Sequence, residues 1–206
     1  MSPFIAFLIA AVVLAITPGP GIAYVVARTV AGGRSEGLSS CLGTALGGLL
    51  HVLASALGVS LLIAQSALAF SVVKYVGAAY LIYLGIGLLR RRDQAMAEVQ
   101  VTAQGSSRAF REGILVEALN VKTALFFLAF LPQFVVASQP LVPQLAVLGS
   151  ICVVLNTAVD VLAVFAADRL LQSKVARAGR ARLLQRASGL TMLGLGAYLA
   201  MAQRNS

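Results

Sequence analysis

Three ionisable side chains lie in stretches of the sequence that are otherwise apolar. Lys122 and Asp160 fall in two separate apolar segments, and His51, the single histidine of the chain, falls near the centre of a third. An ion at the centre of a membrane costs at least ~2.5 to 3.5 kcal/mol on insertion scales, so such groups pair with each other, line a wet cavity or carry protons. These residues therefore predict an ion pair between Lys122 and Asp160, and a proton-exchanging group at Asp160 or His51.

The same residues have structural interpretations that the sequence leaves open. A Lys122–Asp160 pair that only locks two helices together would give the same pattern, and so would a neutral His51 that hydrogen-bonds a neighbouring helix. Glu117 is a poor direct partner for Lys122, because five positions place the two on different faces of a regular helix. Asn156 lies four positions before Asp160 and so shares its helix face.

A helix-breaking run, Pro18-Gly19-Pro20-Gly21, interrupts the first apolar stretch. The prolines each remove a backbone donor, and the glycines add backbone freedom, so an unbroken helix here is costly. In lipid, broken backbone is tolerated only where protein or a water-filled cavity surrounds it, and broken helices often mark the binding site of a transporter. The alternative is a packing kink, since both residue types are common in membrane helices.

The composition of the chain indicates a membrane protein. The chain is 59% hydrophobic and 11% charged, which does not suit the surface of a soluble domain of this size. A membrane span needs about 20 apolar residues. The sequence therefore predicts an all-α integral membrane protein with six transmembrane helices, at 3–27, 38–63, 67–89, 113–136, 143–167 and 187–203.

The basic residues that give the net charge of +9 indicate how the chain is oriented in the membrane, and they do not indicate nucleic-acid binding. Of the 16 basic residues, thirteen fall in the connections after segments 1, 3 and 5, and only Arg204 falls on the other side. By the positive-inside rule those three connections are cytoplasmic and both termini lie outside. The loop charges are expected to orient the chain and to contact lipid headgroups.

The predicted spans divide into two halves within a single domain, 1–206. Residues 1–92 and 108–206 carry three spans each and are joined by a cytoplasmic linker, 93–107, so the halves are expected to be inverted relative to each other. Gly43 and Gly47 form a small-xxx-small face that lets two helix backbones approach closely. The sequence leaves open whether that face packs within the bundle or in a homodimer.

Two cysteines suggest a function of a different class. Cys41 and Cys152 lie in separate apolar segments without Cys-x-x-Cys or metal-ligand spacing. They fit buried small residues better than a membrane thiol–disulfide electron carrier, because neither lies beside a helix break where reactive pairs are usually placed. An enzyme is not predicted, since the chain has one histidine and no recognisable nucleophile motif.

Four stretches together resemble the LysE/RhtB family of amino-acid exporters: Pro18-Gly19-Pro20, the glycines at 33, 37, 43 and 47, the run from Gly77 to Gly85, and Asn120 to Phe134. The resemblance implies a multi-pass protein of the bacterial inner membrane that exports amino acids or close analogues in exchange for protons. The termini that the positive-inside rule puts outside are then expected to be periplasmic. The resemblance also implies inverted halves whose broken helices, 1 and 4, meet at the substrate. Val121 stands where the family usually has proline, so helix 4 is expected to be less broken here.

These interpretations converge on one site between helices 1, 4 and 5. Helix-end amides near the first break, together with Lys122, are expected to hold the carboxylate of an amino acid, because helix N-termini favour anions. Polar groups on helices 4 and 5 are expected to receive the ammonium group. The single acidic residue in this set favours a neutral substrate, and no cofactor or metal is predicted. The expected substrate-binding residues are Pro18, Gly19, Pro20, Gly21, Asn120, Lys122, Asn156 and Asp160.

Overall fold

The computed structural model describes residues 3–59, 102–136 and 138–171, and a few isolated positions from 68 to 201. These three ranges form helices and short connections, and they contain no strand. The helices are α1 (Pro3–Ile16), α2 (Pro20–Ala54), α3 (Ser106–Ala118), α4 (Val121–Leu125) and α5 (Leu141–Leu171). The predicted segments 67–89 and 187–203 and most of the predicted linker lie outside the described ranges, so the number of six spans stays a prediction.

The predicted break in the first segment is confirmed. α1 ends at Ile16 and helix resumes at Pro20, with Gly19 in an extended conformation as the N-cap of α2. Proline is well suited to the first position of a helix, because the N–H that it lacks would have no partner there. Thr17 closes the end of α1 by donating its hydroxyl hydrogen to the Val13 carbonyl at 2.6 Å.

The connection between the first two predicted segments, from Arg28 to Leu38, is not the expected loop, because helical turns continue on both sides of a single residue. Gly33 has φ 72° and is the one non-helical position inside α2; a side chain there would be strained. The chain reverses at this point. A methyl group on Gly21 would lie 3.9 Å from Cγ2 of Thr44, whereas a straight helix would separate the two residues by about 35 Å. α2 is therefore a hairpin of two arms, 20–32 and 34–54.

The second broken helix bends by 43° between Ser106–Ala118 and Val121–Phe134. Asn120 is the N-cap of α4, and its side-chain oxygen accepts a hydrogen bond from the backbone N–H of Lys122 at 3.1 Å. Asparagine is among the strongest N-cap residues. This cap explains why the helix is broken although Val121 stands in the position of a proline. Beyond α4 the chain continues as a π-helix, Phe126–Phe130, and a 3-10 helix, Leu131–Phe134.

Among the described residues, two helical stretches are long and apolar enough to include a membrane span: Pro20–Gly58, which contains both arms of α2, and Leu141–Arg169. The bent pair brings the number to at most three. The outward face of the second arm of α2 supports this assignment. It carries Leu42, Leu46, Leu49 and Leu53, which are 41 to 64% exposed. Polar and small residues such as Thr44, Gly47 and His51 are buried on the opposite face. An apolar exterior around a more polar interior suits lipid and not water.

Three connections meet at one end of the bundle, which we call the arginine-rich end because Arg34, Arg108 and Arg169 lie near it. Arg34 forms an ion pair of 2.7 Å with Asp168 near the end of α5, and the Ser35 and Ser106 hydroxyls are 2.8 Å apart. The first broken helix therefore runs towards this end and the second runs away from it. The described ends of the three predicted cytoplasmic connections accordingly lie together.

The glycine face of α2 packs against α3 of the same chain. A methyl group on Gly47 would lie 2.7 Å from the Ile114 carbonyl oxygen, and one on Gly113 would lie 2.8 Å from the Ser40 carbonyl oxygen. The two backbones thus touch without intervening side chains. The alternative that the sequence left open is resolved for this face, because a neighbour within the bundle already occupies it.

Candidate functional site

A small cavity lies where the two helix breaks meet. Its walls come from the first break, both arms of α2, the second break and the middle of α5. The volume of the cavity is about 30 Å³, which is room for about two water molecules. The polar side chains that line it are Thr17, Thr44, Glu117, Asn120, Lys122, Thr123, Asn156, Thr157 and Asp160.

Lys122 reaches from the second break into the first. Its ammonium group donates hydrogen bonds to the carbonyls of Leu14 at 3.1 Å and Thr17 at 2.9 Å. These carbonyls lie at the C-terminal end of α1, where backbone oxygens run out of helical partners and carry partial negative charge; the Leu14 oxygen has one further backbone bond, from the Thr17 N–H at 3.3 Å. A methyl group on Gly19 would lie 3.2 Å from both Cε and Nζ of Lys122. The absence of a side chain at Gly19 therefore leaves room for the lysine.

The predicted ion pair between Lys122 and Asp160 is wrong. Both residues line the cavity, but the ion pairs among the described residues are Arg28–Glu36, Arg34–Asp168 and Arg108–Glu112. The reason is that the break in the first helix supplies Lys122 with carbonyl acceptors of its own. The prolines lack the backbone N–H groups that would continue the helix, so carbonyl oxygens near the break are free to bind a cation. Matching charged residues in the sequence does not reveal such an acceptor.

Glu117 is a site residue that the sequence interpretation missed. Its two carboxylate oxygens accept hydrogen bonds from Asn120 Nδ2 at 2.9 Å and Thr123 Oγ1 at 2.6 Å. A methyl group on Gly21 would lie 2.6 Å from Glu117 Oε2. The carboxylate thus bridges the second break and lies against the start of α2. An acidic residue three positions before Asn120, inside an apolar stretch, was the signal that could have found it.

Asp160 occupies the α5 wall of the cavity. Its side chain is 8% exposed, and Oδ2 lies 3.0 Å from the hydroxyl oxygen of Thr44. Asn156, one turn earlier, also lines the cavity, as their spacing predicts. The same Thr44 hydroxyl lies 3.0 Å from the Cys41 carbonyl oxygen. Asp160 is therefore linked to the backbone of α2 through a single hydroxyl group.

His51 lies beside the site and not in the cavity wall. Its Nε2 is 2.8 Å from the Glu117 carbonyl oxygen, which can only accept, so Nε2 carries the hydrogen. The ring centroid is 6.0 Å from that of Phe127. This geometry matches the interpretation of a histidine that hydrogen-bonds a neighbouring helix. A role for His51 in proton exchange stays a prediction.

The cysteines lie apart from the cavity. Cys41 packs in a small apolar cluster with Val25 and Val164, whereas Cys152 belongs to the main apolar core. Both are buried and free, and neither lines the cavity. Nothing in these surroundings supports a thiol–disulfide electron carrier.

The structure brings most of the expected site residues together. Gly21, Asn120, Lys122, Asn156 and Asp160 line the cavity, and Gly19 contacts Lys122. Pro18 and Pro20 contribute through the break and not as lining residues. The missed residues are Glu117 and the threonines at 17, 44 and 123. Their hydroxyls gave no sequence signal, because threonine in an apolar helix can also bond its own backbone, as Thr29 does with the Val25 carbonyl at 2.8 Å.

The site offers hydrogen-bond donors and acceptors of both charge signs within one small space. A lysine ammonium group and two carboxylates approach it from three helices, with amide and hydroxyl groups between them. No group of three or more His, Cys, Asp or Glu side chains that could hold a metal ion occurs in the described ranges. The arrangement suits binding of a small polar molecule that carries both charges.

The sequence was compared with known proteins. The family model described as LysE type translocator matches residues 12–203. An uncharacterized membrane protein of Vibrio cholerae is 33% identical over 158 residues, which is 76% of each chain. The homoserine/homoserine lactone efflux proteins of Salmonella typhimurium and Salmonella typhi are each 28% identical over 198 residues, which is 96% of each chain. No solved structure matches.

Proposed function

The chain belongs to the LysE type translocator family, and from this premise we propose that it exports amino acids or close analogues across the bacterial inner membrane in exchange for protons. The observation that carries the proposal is the cavity at the meeting point of two broken helices, where Lys122, Glu117 and Asp160 present both charge signs. Discontinuous helices of this kind form the substrate sites of many secondary transporters.

The polar groups are complementary to an amino-acid zwitterion. Asp160, with the amide groups of Asn156 and Asn120, receives the ammonium group. The substrate carboxylate is held by the free backbone N–H groups at the start of α2, near Gly21, and by Lys122. Lys122 donates two hydrogen bonds to α1, and a lysine ammonium group has three hydrogens. One hydrogen is therefore left for the substrate.

The small size of the cavity supports alternating access. A free amino acid is larger than the two or so waters that fit, so substrate enters only when one end of the bundle opens. The arginine-rich end is closed by polar contacts: Tyr24 donates to Glu112 at 3.1 Å, and Glu36 accepts from the backbone N–H of Gly105 at 2.7 Å. Opening that end exchanges these contacts for contacts with water.

The opposite end is closed by aromatic rings. The ring centroids of Phe7 and Phe134 are 5.7 Å apart, and those of Phe130 and Phe134 are 5.2 Å apart. Phe7 belongs to α1 and the other two follow α4, so this contact joins the outer arms of the two broken helices. We assign the two closures to the cytoplasmic and periplasmic gates of the transport cycle.

The order of elements supports the proposal of two inverted halves. In each half a broken helix precedes a long helix: α1 and the first arm of α2 precede its second arm, and α3 and α4 precede α5. The two broken helices run in opposite directions, as inverted repeats require. With the arginine-rich end in the cytoplasm, both termini are periplasmic.

Protons supply the driving force in this proposal. Asp160 exchanges a proton during the cycle, with His51 as the second candidate, and each proton moving inward releases ~2.3 kcal/mol per 100 mV of membrane potential. The relatives named homoserine/homoserine lactone efflux proteins suggest homoserine or a similar small neutral amino acid as substrate. The small residues Ala15, Ala45 and Gly48 in the cavity wall are compatible with a short side chain.

The proposal is tested by export from intact cells. Cells with and without the protein are loaded with dipeptides or with L-homoserine, and every released amino acid is assayed with and without an uncoupler. We expect faster, uncoupler-sensitive release of a limited set of neutral amino acids. A matched pair of variants, Lys122→Met in the cavity and Leu42→Ala on the lipid face, should lose and keep this release, respectively. Unchanged release of every compound, with the protein present in the membrane, would contradict the proposal.

A further inference from the structure

We propose that Thr44 is the positioning residue that fits the site to both protonation states of Asp160. The inference rests on the proposed function, in which Asp160 exchanges the transported proton. It starts from the hydroxyl oxygen of Thr44, which lies 3.0 Å from the Cys41 carbonyl oxygen and 3.0 Å from Asp160 Oδ2. A hydroxyl group has one hydrogen to donate and two lone pairs with which to accept.

The two neighbours of this hydroxyl differ in what they can do. The Cys41 carbonyl can only accept, whereas Asp160 accepts when it is ionised and can donate when it is protonated. When Asp160 is ionised, the Thr44 hydrogen points to Oδ2 and makes a charge-assisted bond. When Asp160 is protonated, its own hydrogen points to Thr44 Oγ1, and the threonine hydrogen turns to the Cys41 carbonyl. Both states are hydrogen-bonded without movement of a heavy atom.

Glu117, the second carboxylate of the cavity, lacks this adaptability. Its oxygens accept from the Asn120 amide and the Thr123 hydroxyl, and an amide N–H can only donate. Protonation of the oxygen that faces Asn120 would set two hydrogens against each other. A proton on the other oxygen could be donated to the Thr123 hydroxyl, but among the described contacts the Thr123 hydrogen has no second acceptor to turn to, whereas that of Thr44 has the Cys41 carbonyl.

The other ionisable groups near Asp160 come from each element packed against it. Lys122 on α4 and Glu117 on α3 act on it electrostatically, and the Cys41 thiol lies on the same arm of α2 as Thr44. Among the described residues, only the Thr44 hydroxyl makes a direct hydrogen bond to Asp160. Thr44 is therefore the residue of α2 whose hydrogen bond responds directly when Asp160 gains or loses a proton.

Two substitutions separate this role from simple packing. Thr44→Val keeps the shape and removes the hydroxyl, and Thr44→Ser keeps the hydroxyl and removes a methyl group. The ionised carboxylate loses a stronger bond than the neutral acid does, so Thr44→Val is expected to move the midpoint of the pH profile to higher pH by about one unit. Thr44→Ser is expected to keep the wild-type midpoint.

The experiment uses the purified full chain in proteoliposomes, with radiolabelled L-homoserine flux measured across pH for wild type and both variants. In parallel, infrared titration follows the carbonyl band of the protonated carboxyl that disappears in Asp160→Asn. We expect Thr44→Val, and not Thr44→Ser, to shift both the flux midpoint and the titration of this band. Because the infrared arm does not require transport, it tests Thr44 even if homoserine is not carried.

The outcomes keep the two proposals apart. A wild type without pH-dependent flux would count against proton-coupled export of homoserine and leave the infrared result to decide about Thr44. A Thr44→Val protein that folds and titrates with the wild-type midpoint overturns the assignment of Thr44. Equal shifts in the valine and serine variants would also overturn it, because packing and not the hydroxyl would then be responsible.

Discussion

The ammonium group of Lys122 lies in the break of the first helix, where it donates to the carbonyl oxygen of Thr17 at 2.9 Å. The lysine itself belongs to the first turn after the second break. Each break therefore depends on the other: the first leaves carbonyls exposed, and the second supplies the cation that binds them. Any change at one break is expected to disturb the geometry of the whole cavity.

Removal of the ammonium group tests this dependence. Lys122→Met keeps much of the length of the side chain but leaves the Thr17 carbonyl without its hydrogen bond and the Leu14 carbonyl with only the 3.3 Å bond from the Thr17 N–H. An unsatisfied buried group costs about 1–3 kcal/mol. We expect export to be lost and the melting temperature of the detergent-purified protein to fall. The lipid-facing variant Leu42→Ala serves as the control, and a Lys122→Met protein that exports at the wild-type rate would show that the contact is dispensable.

A methyl group at Gly19 approaches the same contact from the other side. In Gly19→Ala the new carbon would lie 3.2 Å from Cε and Nζ of Lys122, which is closer than ordinary van der Waals contact. The lysine must move away from the α1 carbonyls, so we expect a several-fold lower export rate with near-normal folding. Gly58→Ala is the matched control, because a methyl group there has no neighbour within 4 Å among the residues that the structure describes. Equal export by the two variants would be evidence against the predicted crowding.

Glu117→Gln tests the carboxylate that bridges the second break. The glutamine oxygen can still accept from Asn120 and its NH₂ group can donate to the Thr123 hydroxyl, but the negative charge that strengthens both hydrogen bonds is lost. We expect a loss of about 1–3 kcal/mol in unfolding free energy, measured by thermal or denaturant unfolding in detergent. Export should fall as well, since the cavity then loses one of its two carboxylates. The exposed neighbour Leu115, changed to alanine, should leave both quantities within experimental error.

Asp160→Asn tests the proton-exchanging group directly. The amide keeps the size of the side chain and still accepts a hydrogen bond from Thr44, so membrane insertion should be normal. Proton-coupled export should be abolished, because the amide does not titrate. The measurement compares substrate release with and without an uncoupler in cells that contain equal amounts of the two proteins. Wild-type coupling in this variant would refute the assignment of Asp160.

Most residues that line the cavity could be predicted from the sequence, because their strongest signals are local. Two prolines that alternate with glycines are expected to break a helix. The structure has the break at Thr17–Gly19. Asn156 and Asp160 share a face because helix geometry fixes residues four apart. The long apolar α5 likewise follows from composition, and its bounds, Leu141–Leu171, enclose the predicted 143–167.

Other features depended on contacts that no local pattern contains. The partners of Lys122 are two backbone carbonyls, and the residue types in the sequence do not show which backbone groups are free to bind. The position of Glu117 depends on how α3 lies against α2, and that packing is set by glycines 70 residues away. The turn at Gly33 was predicted as a loop, because an arginine and serine next to glycines look like a solvent-exposed connection.

The contact of Gly43 and Gly47 with α3 has a mechanical consequence. The second arm of α2 belongs to one half of the chain and α3 to the other, and their backbones touch with no side chains between them. Separating the helices at these glycines would leave a gap that neither backbone can fill. We therefore expect the two helices to stay in contact at Gly43 and Gly47 while the ends of the bundle open. The larger movements are then expected in α1, the first arm of α2 and the segment after the second break.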